Sequence, residues 1–143
     1  EGVTHIDTAN VYGPQTSETV IGTFLAKQGK AKNDLFSIAT KASITKDPET
    51  GARAFNNSGE HLEAELDGSL ARLGVDCVDL FYVHRRDPSV PIEEVTETLA
   101  GLIKKGKIRS FGFSEIAPSS LRRANAVHHV AAGPHGKYMK PLT

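Results

Sequence analysis

Hydrophobic and polar positions follow one pattern four times along this chain. Each repeat opens with a short apolar run rich in β-branched or aromatic residues, and a loop then leads into a stretch with helical periodicity. The apolar runs cover about residues 3–9, 35–41, 78–84 and 107–114. The pattern predicts a strand at each run and a helix after it.

The predicted helices have one apolar face and defined ends. The second helix shows this best, because four leucines recur at helical spacing before Gly74: Leu62, Leu66, Leu70 and Leu73. Asn57 and Glu60 stand at capping-box spacing at its start. We expect the other three helices over about 18–28 with Ser17 as the cap, around 95–105 before Gly106, and from Pro118 onward.

Strictly alternating strands and helices imply parallel strands joined by right-handed crossovers, which is the α/β fold class. The pattern leaves two architectures open, an open doubly wound sheet and a part of a (βα)8 barrel. No Gly-x-Gly-x-x-Gly motif joins a strand to a helix, which counts against a Rossmann cofactor site.

Length and charge narrow the class of protein. The chain has 143 residues, a length that suits one domain, which we expect over 1–132. The segment 133–143 shows no periodicity, so we expect an irregular tail there. The 17 basic and 17 acidic side chains balance, so we expect no affinity for nucleic acid or membrane surfaces. The sequence contains no run of 18 apolar residues, so we predict no membrane span. A lone Cys77 and the lack of a recognisable signal peptide favour a reducing, cytoplasmic setting.

Polar side chains stand where the predicted strands end. Asp7, Lys41, His84 and Ser114 end the four runs, and Tyr12 follows the first run in a turn. The carboxyl ends of parallel strands share one edge of the sheet, and that edge carries the active site in such folds. We therefore expect these five side chains to converge.

The chemistry of this set suits a carbonyl group. A phenol is a poor acid at neutral pH, but an ammonium group within about 4–6 Å favours its ionised form, and a carboxylate keeps the ammonium charged and oriented. A neutral imidazole can donate a hydrogen bond to a carbonyl oxygen. None of these groups supplies electrons, so reduction of the carbonyl requires a hydride cofactor, for which nicotinamide is the natural candidate.

The same residues resemble the aldo-keto reductases, a family of NADPH-dependent (βα)8 barrels. The resemblance runs from about Gly2 to Ala132. The matching segments, in family order and spacing, are Ile6-Asp7-Thr8-Ala9 with Tyr12-Gly13, Ser17-Glu18 with Ile21-Gly22, Thr40-Lys41, Ser69-Leu70 with Arg72-Leu73, Val78-Asp79-Leu80 up to His84-Arg85, Gly106-Lys107-Ile108-Arg109, and Gly112-Phe113-Ser114-Glu115.

The resemblance implies a role for each candidate residue. Tyr12 is the general acid, Lys41 paired with Asp7 makes its hydroxyl more acidic, and His84 orients the carbonyl of an aldehyde or ketone. Ser114 and the following residue bind the nicotinamide of NADPH, and Glu115 stands where many members have Asn. No metal is implied.

The match covers only the second to fifth βα units, so it implies a partial TIM barrel of about four strands and four helices. Such a piece has open strand edges and an uncovered apolar interior. Three explanations stay open: a fragment of a longer enzyme, a truncated chain that self-associates through the open face, and a tail that folds back over it. A non-catalytic binding module on the same scaffold is the alternative function. We read Arg85, Arg86 and Asp87 as a solvated charge cluster with a local ion pair.

Overall fold

The structure, a computed structural model, describes residues 2, 4–13, 15–29 and 35–133. This part of the chain contains six strands and four helices. In chain order they are β1 (His5–Asp7), α1 (Thr16–Ala26), β2 (Ser37–Ala42), β3 (Ile44–Lys46), β4 (Arg53–Phe55), α2 (Gly59–Leu73), β5 (Val78–Val83), α3 (Ile92–Lys104), β6 (Ile108–Phe113) and α4 (Pro118–Val127). Apart from Gly133, the predicted irregular tail lies outside the described residues.

Four of the strands form a parallel sheet in the order β1-β2-β5-β6. The α/β class with parallel βα units is therefore confirmed. The register places Lys41 beside Tyr82 and Tyr82 beside Gly112. Because all four strands run the same way, their carboxyl ends lie along one edge, and that edge positions the candidate site.

The helices bury their apolar stripes against one face of this sheet. Leu62, Leu66 and Leu73 are fully buried and Leu70 nearly so, which confirms the predicted leucine stripe of α2. Gly22 lets α1 come close to α2, since a Cβ there would stand 2.0 Å from the carbonyl oxygen of Arg72. None of the helices in the described residues is long and apolar enough to cross a bilayer.

The opposite face of the sheet carries a second, smaller cluster. Its members are at most 3% exposed and comprise Ala39, Leu80, Tyr82 and Ala132. The expectation of an uncovered apolar interior is therefore wrong at these four positions. The physical reason lies partly in the chain after α4, which returns beside β6 and packs Ala131 and Ala132 against this cluster.

The returning segment also extends the sheet. Gly112 and Ala132 form a parallel bridge, in which the amide of Ala131 donates to Phe111 (3.0 Å) and that of Phe113 donates to Ala132 (3.1 Å). A side chain at Gly112 would collide with Ala132, because its Cβ would lie 2.5 Å from the carbonyl oxygen. A further parallel strand thus begins at this edge.

The segment between β2 and α2, predicted as a polar loop, folds into an antiparallel hairpin of β3 and β4. At its tip the Asp47 carboxylate accepts bonds from the amides of Glu49 (2.8 Å) and Thr50 (2.9 Å), a local turn that Asp favours. Strands of three residues show too few alternating positions to stand out from a polar loop.

Two predicted helix caps are wrong. Ser58, and not Asn57, caps α2 by accepting from the amide of His61 (3.3 Å), since the Asn57 side chain is bound elsewhere. Helix α1 begins at Thr16 after Gln15, while Ser17 exchanges a hydrogen bond of 2.7 Å with Thr8.

Candidate active site

The carboxyl edge of the sheet brings four predicted side chains into one group. Asp7 is the last residue of β1, Lys41 lies one residue before the end of β2, and His84 directly follows β5. Tyr12 stands in the turn after β1. Ser114 follows β6 on the neighbouring strand, where its amide donates to Val83 (3.1 Å).

Lys41 is the buried centre of this group, with 8% of its surface exposed. Its ammonium forms an ion pair with the Asp7 carboxylate and donates to the carbonyl oxygen of Thr8 at 3.0 Å. Two of the three ammonium protons are thereby assigned. The side chain is consequently fixed and its charge is held at the strand end.

Two tyrosine rings flank the ammonium. The nitrogen of Lys41 lies 5.4 Å from the centre of the Tyr12 ring and 5.5 Å from that of Tyr82. Both distances suit a cation and an aromatic face. Sequence reasoning missed Tyr82, although the β2–β5 register that places it beside Lys41 follows once those strands are known to be neighbours.

Tyr12 and His84 meet edge to face. Their ring centres are 6.0 Å apart and their planes make an angle of 86°. The Tyr12 side chain is 43% exposed, so a small molecule can reach it from solvent. The two rings together form one wall of an open site.

His84 is held in its neutral form. Burial of the imidazole, followed by the Lys41 ammonium, lowers the pKa of His84 to about 4. Arg85 and Arg53 act in the same direction, and Asp7 opposes them. At pH 7 the ring therefore carries one proton and can donate one hydrogen bond without bearing charge.

Among the predicted site residues, two polar side-chain atoms are buried without a hydrogen-bond partner in the described part of the chain. They are Nδ1 of His84 and the hydroxyl oxygen of Ser114. Unsatisfied buried polar atoms are rare in native proteins, and they concentrate where a bound molecule completes the site. The Ser114 hydroxyl can form hydrogen bonds with an amide group of a bound molecule, since a hydroxyl both donates and accepts.

The charges after His84 are arranged differently from the prediction. Arg85 forms an ion pair with Glu115 across the edge, and not with Asp87. Arg86 donates to the side chain of Asn57 (2.9 Å) and to the carbonyl of Val90 (3.0 Å). The reading as a solvated cluster is wrong for Arg86, because β3 and β4 bring Asn57 next to it.

A groove of about 450 Å³ opens beside the Arg85–Glu115 pair. Its walls come from the hairpin and from the loops after β5 and β6: Phe55, Arg85, Arg86, Glu115, Ile116 and Ala117. In the described ranges no three His, Cys, Asp or Glu side chains cluster as a metal site would require.

Comparisons with known proteins give a family match over most of the chain. A family model described as the aldo/keto reductase family matches residues 1–135. Over 131 residues, the chain is 42% identical to the aldo-keto reductase yakc [NADP(+)] of Schizosaccharomyces pombe and 45% identical to the aldo-keto reductase str7 of Strobilurus tenacellus. These alignments cover 92% of this chain but only 38% of yakc and 36% of str7.

Solved structures give the same proportions. Glycerol dehydrogenase AKR11B4 from Gluconobacter oxydans superimposes with a TM-score of 0.81 at 30% identity, over 92% of this chain and 40% of that one. An aldo/keto reductase from Klebsiella pneumoniae, solved with NADP and acetate, gives 0.74 at 27% identity, over 92% and 42%. The architecture is therefore a partial barrel, and this chain spans less than half the length of the relatives it matches.

Proposed function

Since the chain belongs to the aldo/keto reductase family, we propose that it carries the proton-donating half of an NADPH-dependent enzyme that reduces aldehydes or ketones to alcohols. The observation that carries this proposal is the placement of Lys41. Its ammonium is tied to Asp7 and stands 5.4 Å from the ring centre of Tyr12. A fixed positive charge beside an exposed phenol is the arrangement that a general acid at neutral pH requires.

Tyr12 donates the proton. Tyr12 is 43% exposed, so its hydroxyl can meet the carbonyl oxygen of a substrate. As negative charge develops on that oxygen, the phenolic proton moves to it and the phenolate left behind is stabilised by Lys41. Asp7 keeps the lysine in place through their ion pair.

His84 orients the substrate. The neutral imidazole lies against the Tyr12 ring, where it can donate a second hydrogen bond to the same carbonyl oxygen. A neutral donor suits this position, because an imidazolium would add a second cation beside Lys41.

The cofactor assignment rests on relatives and on Ser114. The yeast relative is named for NADP(+), and the Klebsiella pneumoniae structure holds NADP. Bound NADPH supplies the hydride. The buried, unpartnered hydroxyl of Ser114 fits the carboxamide of a nicotinamide. The sequence also assigned Glu115 to this contact, but its carboxylate is paired with Arg85, so we give the contact to Ser114 alone.

A non-catalytic binding module remains the second candidate, because the chain spans only 36–38% of its curated relatives. The buried cluster on the inner face disfavours it, since an open apolar face was the reason to expect a self-associating module. Under this candidate the protein would bind without turning over a carbonyl substrate.

The experiment that separates the two candidates measures NADPH oxidation with 4-nitrobenzaldehyde. It uses this chain and any longer form of the protein that contains it, each as parent and as Tyr12→Phe. We expect an active form to lose at least about 100-fold in turnover on loss of the hydroxyl, with NADPH binding retained as the control. Equal rates in parent and variant would remove Tyr12 from the mechanism. Inactivity of every form would favour the binding module.

A further inference from the structure

We propose that Ser43 and Asn57 are positioning residues for His84, which they hold against Tyr12 by fixing the backbone of Arg85. Both flank the hairpin of β3 and β4, which then acts as a brace for the site. The inference rests on the proposed function, since it concerns the residue that orients the substrate there.

Ser43 forms two hydrogen bonds with the backbone of Arg85. Its hydroxyl oxygen accepts from the amide of Arg85 at 2.9 Å and donates to the carbonyl of the same residue at 3.0 Å. Ser43 is fully buried. Its φ of 122° lies in the region that favours glycine, so a serine here costs backbone strain that a hydroxyl-free glycine would avoid. The two bonds to Arg85 are what the serine provides in return.

Asn57 forms hydrogen bonds with the same segment. Its amide nitrogen donates to the carbonyl of Arg85 at 3.0 Å. Its side-chain oxygen accepts from the amide of Asp87 (2.8 Å) and from the guanidinium of Arg86 (2.9 Å). Asn57 is fully buried, and with these bonds its side chain serves three consecutive residues after His84.

The hairpin keeps Ser43 and Asn57 next to each other. The amide of Asn56 donates to the carbonyl of Ser43 at 2.9 Å, directly beyond the β3–β4 ladder. The residues before and after the hairpin are therefore bonded to each other next to Arg85. Loss of the hydrogen bonds of Ser43 or of Asn57 is expected to shift the segment that follows β5.

His84 depends on this brace because it stands where the β5 ladder ends. Its own amide donates to Ala42 at 2.8 Å, and on its C-terminal side the next residue, Arg85, is held by Ser43 and Asn57. The imidazole faces Tyr12 at 6.0 Å between ring centres. A shift of about 1 Å at such a distance is enough to reduce a rate by roughly 100-fold.

The position of the ring can be measured without any substrate. The charged groups around it lie on three other elements: Asp7 on β1, Lys41 on β2 and Arg53 on β4, with Arg85 following it. If the ring moves out of this setting, its burial and its distance to the cations both change, and its titration midpoint rises from about 4.

The test is nuclear magnetic resonance of the parent chain and of Ser43→Gly, Asn57→Ala and Thr50→Ala. Glycine adopts the φ of Ser43 without strain, so Ser43→Gly removes the CH2OH group and both bonds to Arg85 without forcing the backbone to change. Thr50→Ala is the matched control, because Thr50 lies at the exposed hairpin tip, where its side chain bonds to the amide of Ala52 (3.3 Å) and to Asp47. The readouts are the cross-relaxation between the Tyr12 and His84 rings and the titration midpoint of His84.

We expect Ser43→Gly and Asn57→Ala to weaken the ring-to-ring signal at least about twofold and to raise the His84 midpoint by roughly one unit toward 6.5. Thr50→Ala should change neither. Folded variants that keep both signals would overturn the proposal. Unfolding of both single variants would also overturn it, because the two side chains would then hold the fold and not one ring. Neither readout uses NADPH or a carbonyl, so an inactive enzyme leaves this test intact.

Discussion

The ammonium of Lys41 lies 5.4 Å from the centre of the Tyr12 ring, and the ion pair with Asp7 prevents it from turning away. The charge is therefore in place before any substrate arrives. Preorganised charge of this kind costs no reorganisation at the moment of reaction.

Lys41→Met should lower turnover by about 100- to 10,000-fold, which is the range for loss of acid–base assistance. Methionine keeps a long apolar side chain between the two tyrosines but lacks the ammonium. The rate of NADPH oxidation under saturating aldehyde measures the effect in an active form of the protein.

The matched control is Lys46→Met. Lys46 is an exposed lysine at the end of β3 and belongs to no ion pair within the described residues. Its replacement should leave the rate within about twofold. A similar loss in both variants would show that net charge, and not this ammonium, is what matters.

Protonation of His84 should reduce stability in acid. The pKa of His84 is about 4 in the folded chain and about 6.5 when unfolded. Between these values the unfolded state binds more protons, so the free energy of unfolding falls as pH drops from 6.5 toward 4. His84→Gln removes this contribution and should show a shallower decline.

Urea unfolding at pH 7 and pH 4.5 measures that decline. The control is His129→Gln, since His129 is exposed beyond α4 and should leave the parent's pH dependence unchanged. Equal pH dependence in the parent and in His84→Gln would contradict the assigned burial of the imidazole.

Most of the fold could be predicted from the sequence because alternation carries it. The leucine stripe of α2 faces the core as its spacing predicts. Asp7, Lys41 and His84 converge because parallel strands end at one edge, a rule that needs no knowledge of side-chain packing. Each of these inferences uses a pattern within one βα unit, together with the general rule that parallel strands end at one edge.

The parts that sequence reasoning missed depend on contacts between units. Asn57 looked like a helix cap, but it binds Arg85 and Arg86 about 28 positions away. Tyr82 reads as one more apolar strand residue until the register places it next to Lys41. The three-residue strands β3 and β4 are defined by their pairing, and no local pattern of that length specifies it.

Gly22→Ala should destabilise the chain although alanine is the better helix former. An added Cβ would stand 2.0 Å from the carbonyl oxygen of Arg72 and 3.2 Å from Cα of Leu73. These are backbone atoms of α2, so α1 must move away, at a cost of about 1–3 kcal/mol. The gain in helix propensity of roughly 1 kcal/mol offsets only part of this.

Gly101→Ala is the control for that substitution. Gly101 lies near the end of α3, and a Cβ there meets nothing within 4 Å. Alanine should therefore stabilise the chain by about 0.5–1 kcal/mol. Urea unfolding of both variants gives the comparison, and a Gly22→Ala chain as stable as Gly101→Ala would refute the close approach of the two helices.

Glu18 should be the most sensitive charged position outside the active site. Its carboxylate is fully buried, accepts from Arg72 at 2.8 Å and also binds the hydroxyl of Thr40. It thereby joins α1 to α2 and to the strand residue that precedes Lys41. Glu18→Ala leaves the guanidinium and the hydroxyl without their partner and should cost about 3 kcal/mol, at the lower end for a broken buried pair because Arg72 is partly exposed.

The control, Glu97→Ala, removes an exposed glutamate from α3 and should change stability by no more than about 0.5 kcal/mol. Replacing both partners by apolar residues, as in Glu18→Leu with Arg72→Met, should recover much of the loss, because no uncompensated charge then remains buried. If the double variant is as unstable as Glu18→Ala, packing at this junction accounts for the loss. If it recovers stability, the burial of an unpaired charge accounts for the loss in Glu18→Ala.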